Sequence, residues 1–385
     1  LAWKIQLFKI FWDNEDIDAV GKVIKRGMNW TCGPETNEFE KRIAEYIGTK
    51  YAVVFGSGTT ALHAAILAHK IKEGDEVLVP SFTFIATANA VLFVGAKPVF
   101  ADIETKTLGL DPRDVEEKIT RKTRAIIPVH YGGSPCLIRE LKEIAEDHDL
   151  LLIEDAAESI GAKIENQKVG TFGDSAMLSF CQNKVITTGD GGAVVTDSRD
   201  IYERLKLIRS HGRLESSDYF TTREPMDYIT LGTNYRMSDI TAALGISQLT
   251  KIEKIIKMRR DKADYMNISL SKIKDILPPK PLFDYYFHVY QMYTARVLKG
   301  KRMRDDLANY LAEKGVMTKV YFSPVHLTHF YKKELKYNYK LPVTEEMSEQ
   351  VLTLPLYPSL TTEEMDYMID EIRTFFSASR RENEE

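Results

Sequence analysis

The sequence predicts an α/β protein: a large unit with a mostly parallel central sheet flanked by helices, followed by a smaller α+β unit. Three observations carry this expectation. Short apolar runs alternate with helix-periodic segments from about residue 35 to residue 250. Those runs end repeatedly in polar or glycine-rich loops, the pattern of strands joined through helices. Near Gln248 the texture changes to a long basic amphipathic stretch, and aromatic strand-like segments then alternate with helices.

The elements follow in order. YAVVFGSGTTALHAAILAHK, beginning at Tyr51, reads as a strand, a glycine turn and a helix. DEVLVPSFTFIATANAVLFVGAKPVFADI, from Asp75, reads as strand, loop, helix and strand. TRAIIPVHYGG and LLLIEDAAESIGAK are further strands, and LIRELKEIAEDHDL between them has the spaced Leu and Ile of a helix. QLTKIEKIIKMRRDKADYMNISLSKI, from Gln248, reads as one long helix, solvated and connecting two domains, 1–250 and 251–385. In the second domain YYFHVYQMYTARVL and GVMTKVYF read as strands, DDLANYLAEK and TEEMDYMIDEIRTFF as helices, and SASRRENEE as a frayed tail.

Composition excludes several functions. Acids outnumber bases by 56 to 52, which argues against a dedicated nucleic-acid binder. No apolar run approaches the roughly 18 residues that cross a bilayer, and the first residues lack a secretory layout. Cys32, Cys136 and Cys181 are far apart, odd in number and form no CxxC pair. A cytoplasmic protein without a disulfide framework or a thiolate metal site is expected. His326 and His329 lack the acidic companions of a metal site, so none is expected.

Three stretches carry candidate chemistry. In GSGTT, Gly56–Thr60, glycines permit close backbone approach and the first N–H groups of a helix lack internal partners, which suits a phosphate. A plain turn with a threonine cap is the alternative. LLLIEDAAES brings Glu154 and Asp155 to a strand end, where a carboxylate is costly without a cation. A metal, a salt bridge or a protonated heterocycle would each serve. SFCQNKVITTGDGGAVVT places Lys184 between apolar segments, with no acid within five residues on either side. Burial would lower the pKa of such an amine and make it a nucleophile that forms a Schiff base. Its stem could instead pack while the amine reaches water. Together, a phosphate cradle, a strand-end aspartate and a desolvated lysine suit pyridoxal 5'-phosphate: the aspartate would pair with the ring nitrogen and the lysine would bond the aldehyde carbon.

Almost the whole chain resembles the DegT/StrS family of pyridoxal-phosphate-dependent sugar aminotransferases, which have the type I fold of the aspartate aminotransferase group. The resemblance rests on NWTCGPETNEFEKRIAEYIGTKYAVVFGSGTTAL, VPSFTFIATANAVLFVGAKPVFADIE, IEDAAESIGAKIENQKVGTFGDSAMLSF, NKVITTGDGGAVVT, LGTNYRMSDITAALGISQL and LPLYPSL, in that order. It implies that Lys184 bonds the cofactor and Asp155 pairs with its ring nitrogen. It also implies that Ser57, Gly58, Thr59 and Ser179 hold the phosphate, Phe84 stacks on the ring and Glu158 lies beside the ring hydroxyl. Asn234 would reach the phosphate of a neighbouring subunit, giving a homodimer with shared sites. Thr31 and Cys32 would border the sugar pocket, and His326 would match a later substrate-side histidine. Two departures stand out: Cys181 where the family often has histidine, and Tyr321-Phe322 where it has a His-Tyr pair.

The implied reaction moves an amino group from glutamate to a nucleotide-linked keto sugar, for surface polysaccharide or glycoconjugate synthesis. The run N-K-x-I-T-T-G-[DE]-G-G is similar to enzymes of the perosamine-synthase type, which act at C4 of a 4-keto-6-deoxyhexose. Amination at C3 is the near alternative. A sugar dehydratase of this fold would replace Lys184 with histidine, and a non-catalytic regulator would lose Lys184 or Asp155.

Overall fold

Strand alternation builds the large domain. In β1 (Tyr51–Phe55), Val53 and Phe55 enter one core, while Ala52 and Val54 enter another on the opposite face. β2 (Glu76–Pro80), β3 (Lys97–Ala101), β4 (Thr123–Ile126) and β5 (Leu151–Asp155) are parallel neighbours, as is β8 (Ser175–Ser179) beside β5. Their apolar side chains are buried on both faces, which is why they read as continuous hydrophobic runs. The sheet order is β1-β9-β8-β5-β4-β2-β3, and β9 (Gly192–Thr196) is antiparallel to both of its neighbours. Helices Gly58–Ala68, Ala86–Leu92 and Ile138–Asp147 are among those flanking it. A short hairpin of β6 (Lys163–Ile164) and β7 (Gln167–Lys168) lies outside the main sheet. The computed structural model describes residues 3–213 and 227–381.

The smaller domain holds a three-stranded antiparallel sheet, β10 (Ile276–Leu277), β12 (Tyr293–Val297) and β13 (Val351–Leu354). Helices Gly300–Glu313 and Thr362–Arg381 cover it around Tyr293, Leu307, Leu352 and Ile372. The last helix runs through Ser377–Arg381, where a frayed tail was expected; residues 382–385 lie outside the described residues.

Three expectations change. The long helix from Gln248 is two helices, Asp239–Thr250 and Ile252–Leu270, which meet at Lys251. Lys251 is anchored there by Asp13 at 2.7 Å and Asp16 at 2.8 Å. The second helix is not a solvated connector. Ile252, Ile255 and Ile256 pack into the large domain, and Ala263, Met266 and Leu270 into the small one. Its buried Arg259 donates to the carbonyls of Tyr290, Gln291 and Leu356, and burial pushes the guanidinium down to about 10.

Packing also crosses the expected division at residue 250. Ile5 bridges Val316 and lies in the small domain's core, whereas Val325 and Tyr331 pack into the large domain's core with Phe100. Finally, GVMTKVYF forms only single bridges, Ile5 with Val316 and Lys319 with Thr353. YYFHVYQMYTARVL splits into β11 (Tyr286–Phe287), paired with β6, and β12. Between them, the N–H groups of Val289 and Met292 bond the carbonyls of Gly133 and Gly132 instead of a ladder.

Candidate active site

The parallel strands discharge several loops at their carboxyl ends, where ligands collect in such sheets. Residues just past β1, β2, β5 and β8 line one open cavity of about 520 Å³ there. The cavity gathers Ser57, Gly58, Thr59, Phe84, Asp155, Glu158, Ser179 and Lys184, eight of the positions singled out from sequence.

The phosphate-type cradle opens the helix Gly58–Ala68. Ser57 caps it, its hydroxyl accepting from the N–H of Thr60, and the threonine hydroxyl accepts from the N–H of Ser57. That leaves the first-turn N–H groups of Gly58 and Thr59, which a helix cannot satisfy internally. Two glycines keep this corner tight. A Cβ on Gly58 would lie 3.0 Å from Cβ of Ser179, and one on Gly192 would lie 2.6 Å from the carbonyl oxygen of Ser57.

Asp155 ends β5 and is 5% exposed. One carboxylate oxygen accepts from the Thr87 hydroxyl at 2.8 Å, the other from the N–H of Ala157 at 3.2 Å. Thr87 in turn meets the Thr83 hydroxyl at 2.9 Å. Both donors to the carboxylate are neutral, and burial raises the carboxyl above its ordinary value. A cationic partner reached from the cavity would reverse that cost. Glu154, one residue earlier, points to the other face. It accepts from the N–H groups of Gly170, Phe172 and Gly173 and from Nε2 of His130, so its role is structural.

Lys184 follows a turn closed by its N–H on the carbonyl of Cys181. Its side chain is 13% exposed, and Nζ stands 3.6 Å from Oε1 of Glu158. No acid is near in sequence, and the one that faces the amine comes from the loop after β5, through the fold. The other Glu158 oxygen accepts from the N–H of Gly132 at 2.9 Å. Phe84 is 60% exposed at the mouth, its ring centre 6.3 Å from that of Phe322. Tyr321, Phe322 and Cys181, the positions that depart from the family pattern, all line this cavity.

The remaining sequence-derived positions lie elsewhere. Asn234 is exposed and bridges Ser210, and Thr31 bridges Ser238 beside the exposed Cys32; none of the three lines this chain's own cavity. His326 does not line this cavity either. It is 2% exposed, with Nδ1 at 2.6 Å from the Ser81 hydroxyl and Nε2 at 3.4 Å from Glu345. Burial holds its imidazole below the usual value. The Ser-His-Glu chain has the residue types of a hydrolytic triad, but Ser81 is 0% exposed and meets no substrate.

Sequence reasoning missed Thr83 and Thr87. Their spacing of four residues, just ahead of and within a helix, was the available signal. It also missed Phe8 and Lys319, which reach the cavity from the chain start and the small domain; no local pattern marks them. Among the described residues, no group of three His, Cys, Asp or Glu is placed to hold a metal, and no helix is long and apolar enough to cross a membrane.

The donor set fits pyridoxal phosphate: an N–H and hydroxyl cradle for a dianion, a buried carboxylate whose two hydrogen-bond donors are neutral, and a primary amine on one cavity. Similarity to known proteins points the same way. Residues 12–373 match the DegT/DnrJ/EryC1/StrS aminotransferase family. GDP-perosamine synthase of Escherichia coli O157:H7 is 37% identical over 345 residues, covering 90% of this chain and 91% of that protein. S. venezuelae DesV superposes with a TM-score of 0.87 at 33% identity, over 97% of this chain and 98% of that one. Helicobacter pylori PseC, an aminotransferase involved in pseudoaminic acid biosynthesis, gives a TM-score of 0.91 at 27% identity, over 97% and 99%. The chain belongs to the DegT/DnrJ/EryC1/StrS aminotransferase family and is a pyridoxal-phosphate-dependent sugar aminotransferase.

Proposed function

We propose that this aminotransferase moves the amino group of glutamate to C4 of a nucleotide-linked 4-keto-6-deoxyhexose, for polysaccharide or glycoconjugate synthesis in the cytoplasm. The observation that carries the reaction type is the convergence of Lys184, Asp155 and the Gly58 helix start on one cavity. The choice of sugar is supported by 37% identity to GDP-perosamine synthase, and the location by three free cysteines.

When bound, the cofactor supplies an electron sink for the charge left when a proton leaves the carbon bearing nitrogen. The chain's own residues do the rest. The N–H groups of Gly58 and Thr59, with the Ser57, Thr59 and Ser179 hydroxyls, would hold the phosphate. Asp155, held by the Thr83–Thr87 relay, would supply the counter-charge that keeps a ring nitrogen protonated. Lys184 Nζ takes the proton from the donor's α-carbon as a general base. Glu158 orients that amine and, through Gly132, is fixed to the neighbouring loop. Phe84, at the cavity mouth, would cover one side of the bound cofactor. Asn234, exposed and outside its own cavity, is proposed to complete the phosphate site of a second copy, with Thr31 and Cys32 bordering the sugar.

The test is transfer of label from ¹⁵N-glutamate to GDP- and dTDP-linked 4-keto- and 3-keto-6-deoxyhexoses, with Lys184→Ala as control. The labelled amine is expected at C4 of one of them and absent with the control. Label at C3 of a 3-keto substrate alone would overturn the sugar assignment, and label transfer by Lys184→Ala would overturn the mechanism.

A further inference from the structure

A second cleft of about 280 Å³ lies between the domains and shares no lining residue with the cofactor cavity. The large domain contributes the segments around Lys106 and Gly132, the small domain those around Lys280 and Arg296. Its charge is one-sided: Lys106, Lys280 and Arg296 line it, and no Asp or Glu does. Lys106 and Lys280 are exposed and make no ion pair among the described residues.

Arg296 is held as a preset fork. Its Nε and one terminal nitrogen bond Oε1 of Gln350 at 3.1 and 2.9 Å, and the other terminal nitrogen bonds the carbonyl of Thr105 at 3.3 Å. Three of its five N–H groups are thereby used on neutral acceptors, and two remain. Glu346, whose field reaches Arg296, is bonded by Nε2 of Gln350 at 2.8 Å and does not line the cleft. His288 adds no charge, because burial pushes its imidazole down to about 3. Leu277, Pro281 and Met292 supply an apolar wall.

We infer that this cleft is a second binding site, for a small phosphate ester seated between Arg296 and the two lysines with its organic part on the apolar wall. Three cations around a cleft with no Asp or Glu in its lining set up a positive potential that a dianion would offset, although Glu104 stands behind the wall, bonded to the N–H groups of Lys106 and Thr107. Occupancy is linked to the catalytic cavity through one residue. Gly132 lines the cleft, accepts from the N–H of Met292 at 3.1 Å and donates to Glu158, which stands 3.6 Å from Lys184. The site does not depend on which sugar the enzyme aminates.

The experiment is equilibrium dialysis of the cofactor-loaded enzyme against labelled pyrophosphate at low salt, where screening is weak. Saturable binding is expected in the wild type. Lys106→Glu and Lys280→Glu, both on exposed side chains, should each weaken it by about tenfold or more. Competition by a hexose 1-phosphate or by a nucleoside diphosphate identifies the kind of ester. Absence of saturable binding, or binding unchanged in both lysine variants, overturns the inference.

Discussion

Replacing Asp155 with asparagine separates stability from catalysis. The geometry predicts that the fold tolerates it. An asparagine oxygen can accept from the N–H of Ala157, while its NH₂ donates to the Thr87 hydroxyl. The sign of the stability change follows from the carboxyl's raised pKa. A group whose folded value lies above its unfolded value binds its proton more tightly when folded. Its ionisation therefore costs stability, and that cost is absent below the unfolded value and grows as pH rises past it. Without cofactor, Asp155→Asn should thus be at least as stable as wild type at neutral pH, and the difference should vanish in acid. With cofactor, the variant leaves a buried ring nitrogen without its counter-charge. Breaking such a pair costs about 3–5 kcal/mol, which corresponds to about 10²- to 10⁴-fold in kcat. Thermal unfolding of the cofactor-free protein across pH and steady-state kinetics of the loaded enzyme are the two assays. A kcat within a few-fold of wild type, or a cofactor-free protein that unfolds well below wild type at neutral pH, would refute the reasoning.

Three other perturbations test the remaining geometry. Gly192→Ala forces a Cβ to 2.6 Å from the Ser57 carbonyl and should displace the helix start; overpacking of this kind costs about 1–3 kcal/mol, visible as a lower Tm and weaker cofactor retention. His326→Ala removes an inward hydrogen bond and leaves a cavity, so a loss of about 2–4 kcal/mol in stability with little change in the sugar KM is expected; a large KM rise at unchanged stability would restore the substrate contact. Mixed dimers of Lys184→Ala and Asn234→Ala chains should each contain one intact site, giving about a quarter of wild-type activity from random pairing in a two-fold dimer; no recovery beyond either parent removes the shared-site proposal.

Much of this protein could be read from the chain in one dimension. GSGTT between an apolar run and a helix, an acid after four apolar residues, and a lysine ahead of a glycine cluster are local patterns. Each expresses backbone geometry or desolvation that a few neighbouring residues decide. The parallel sheet was legible for the same reason, because strands buried on both faces must be apolar throughout. What the fold alone decided depends on contacts between distant segments. Strand pleat, not sequence order, sends Asp155 into the cavity and Glu154 into a cage of backbone N–H groups. The counter-charge of Lys184 arrives from Glu158, and His326 turns inward to Ser81, 245 residues earlier. Ile5 joins the small domain's core, and three cations from two domains meet around one cleft. Those outcomes follow from packing and long-range electrostatics, whose partners are adjacent only after the chain has folded.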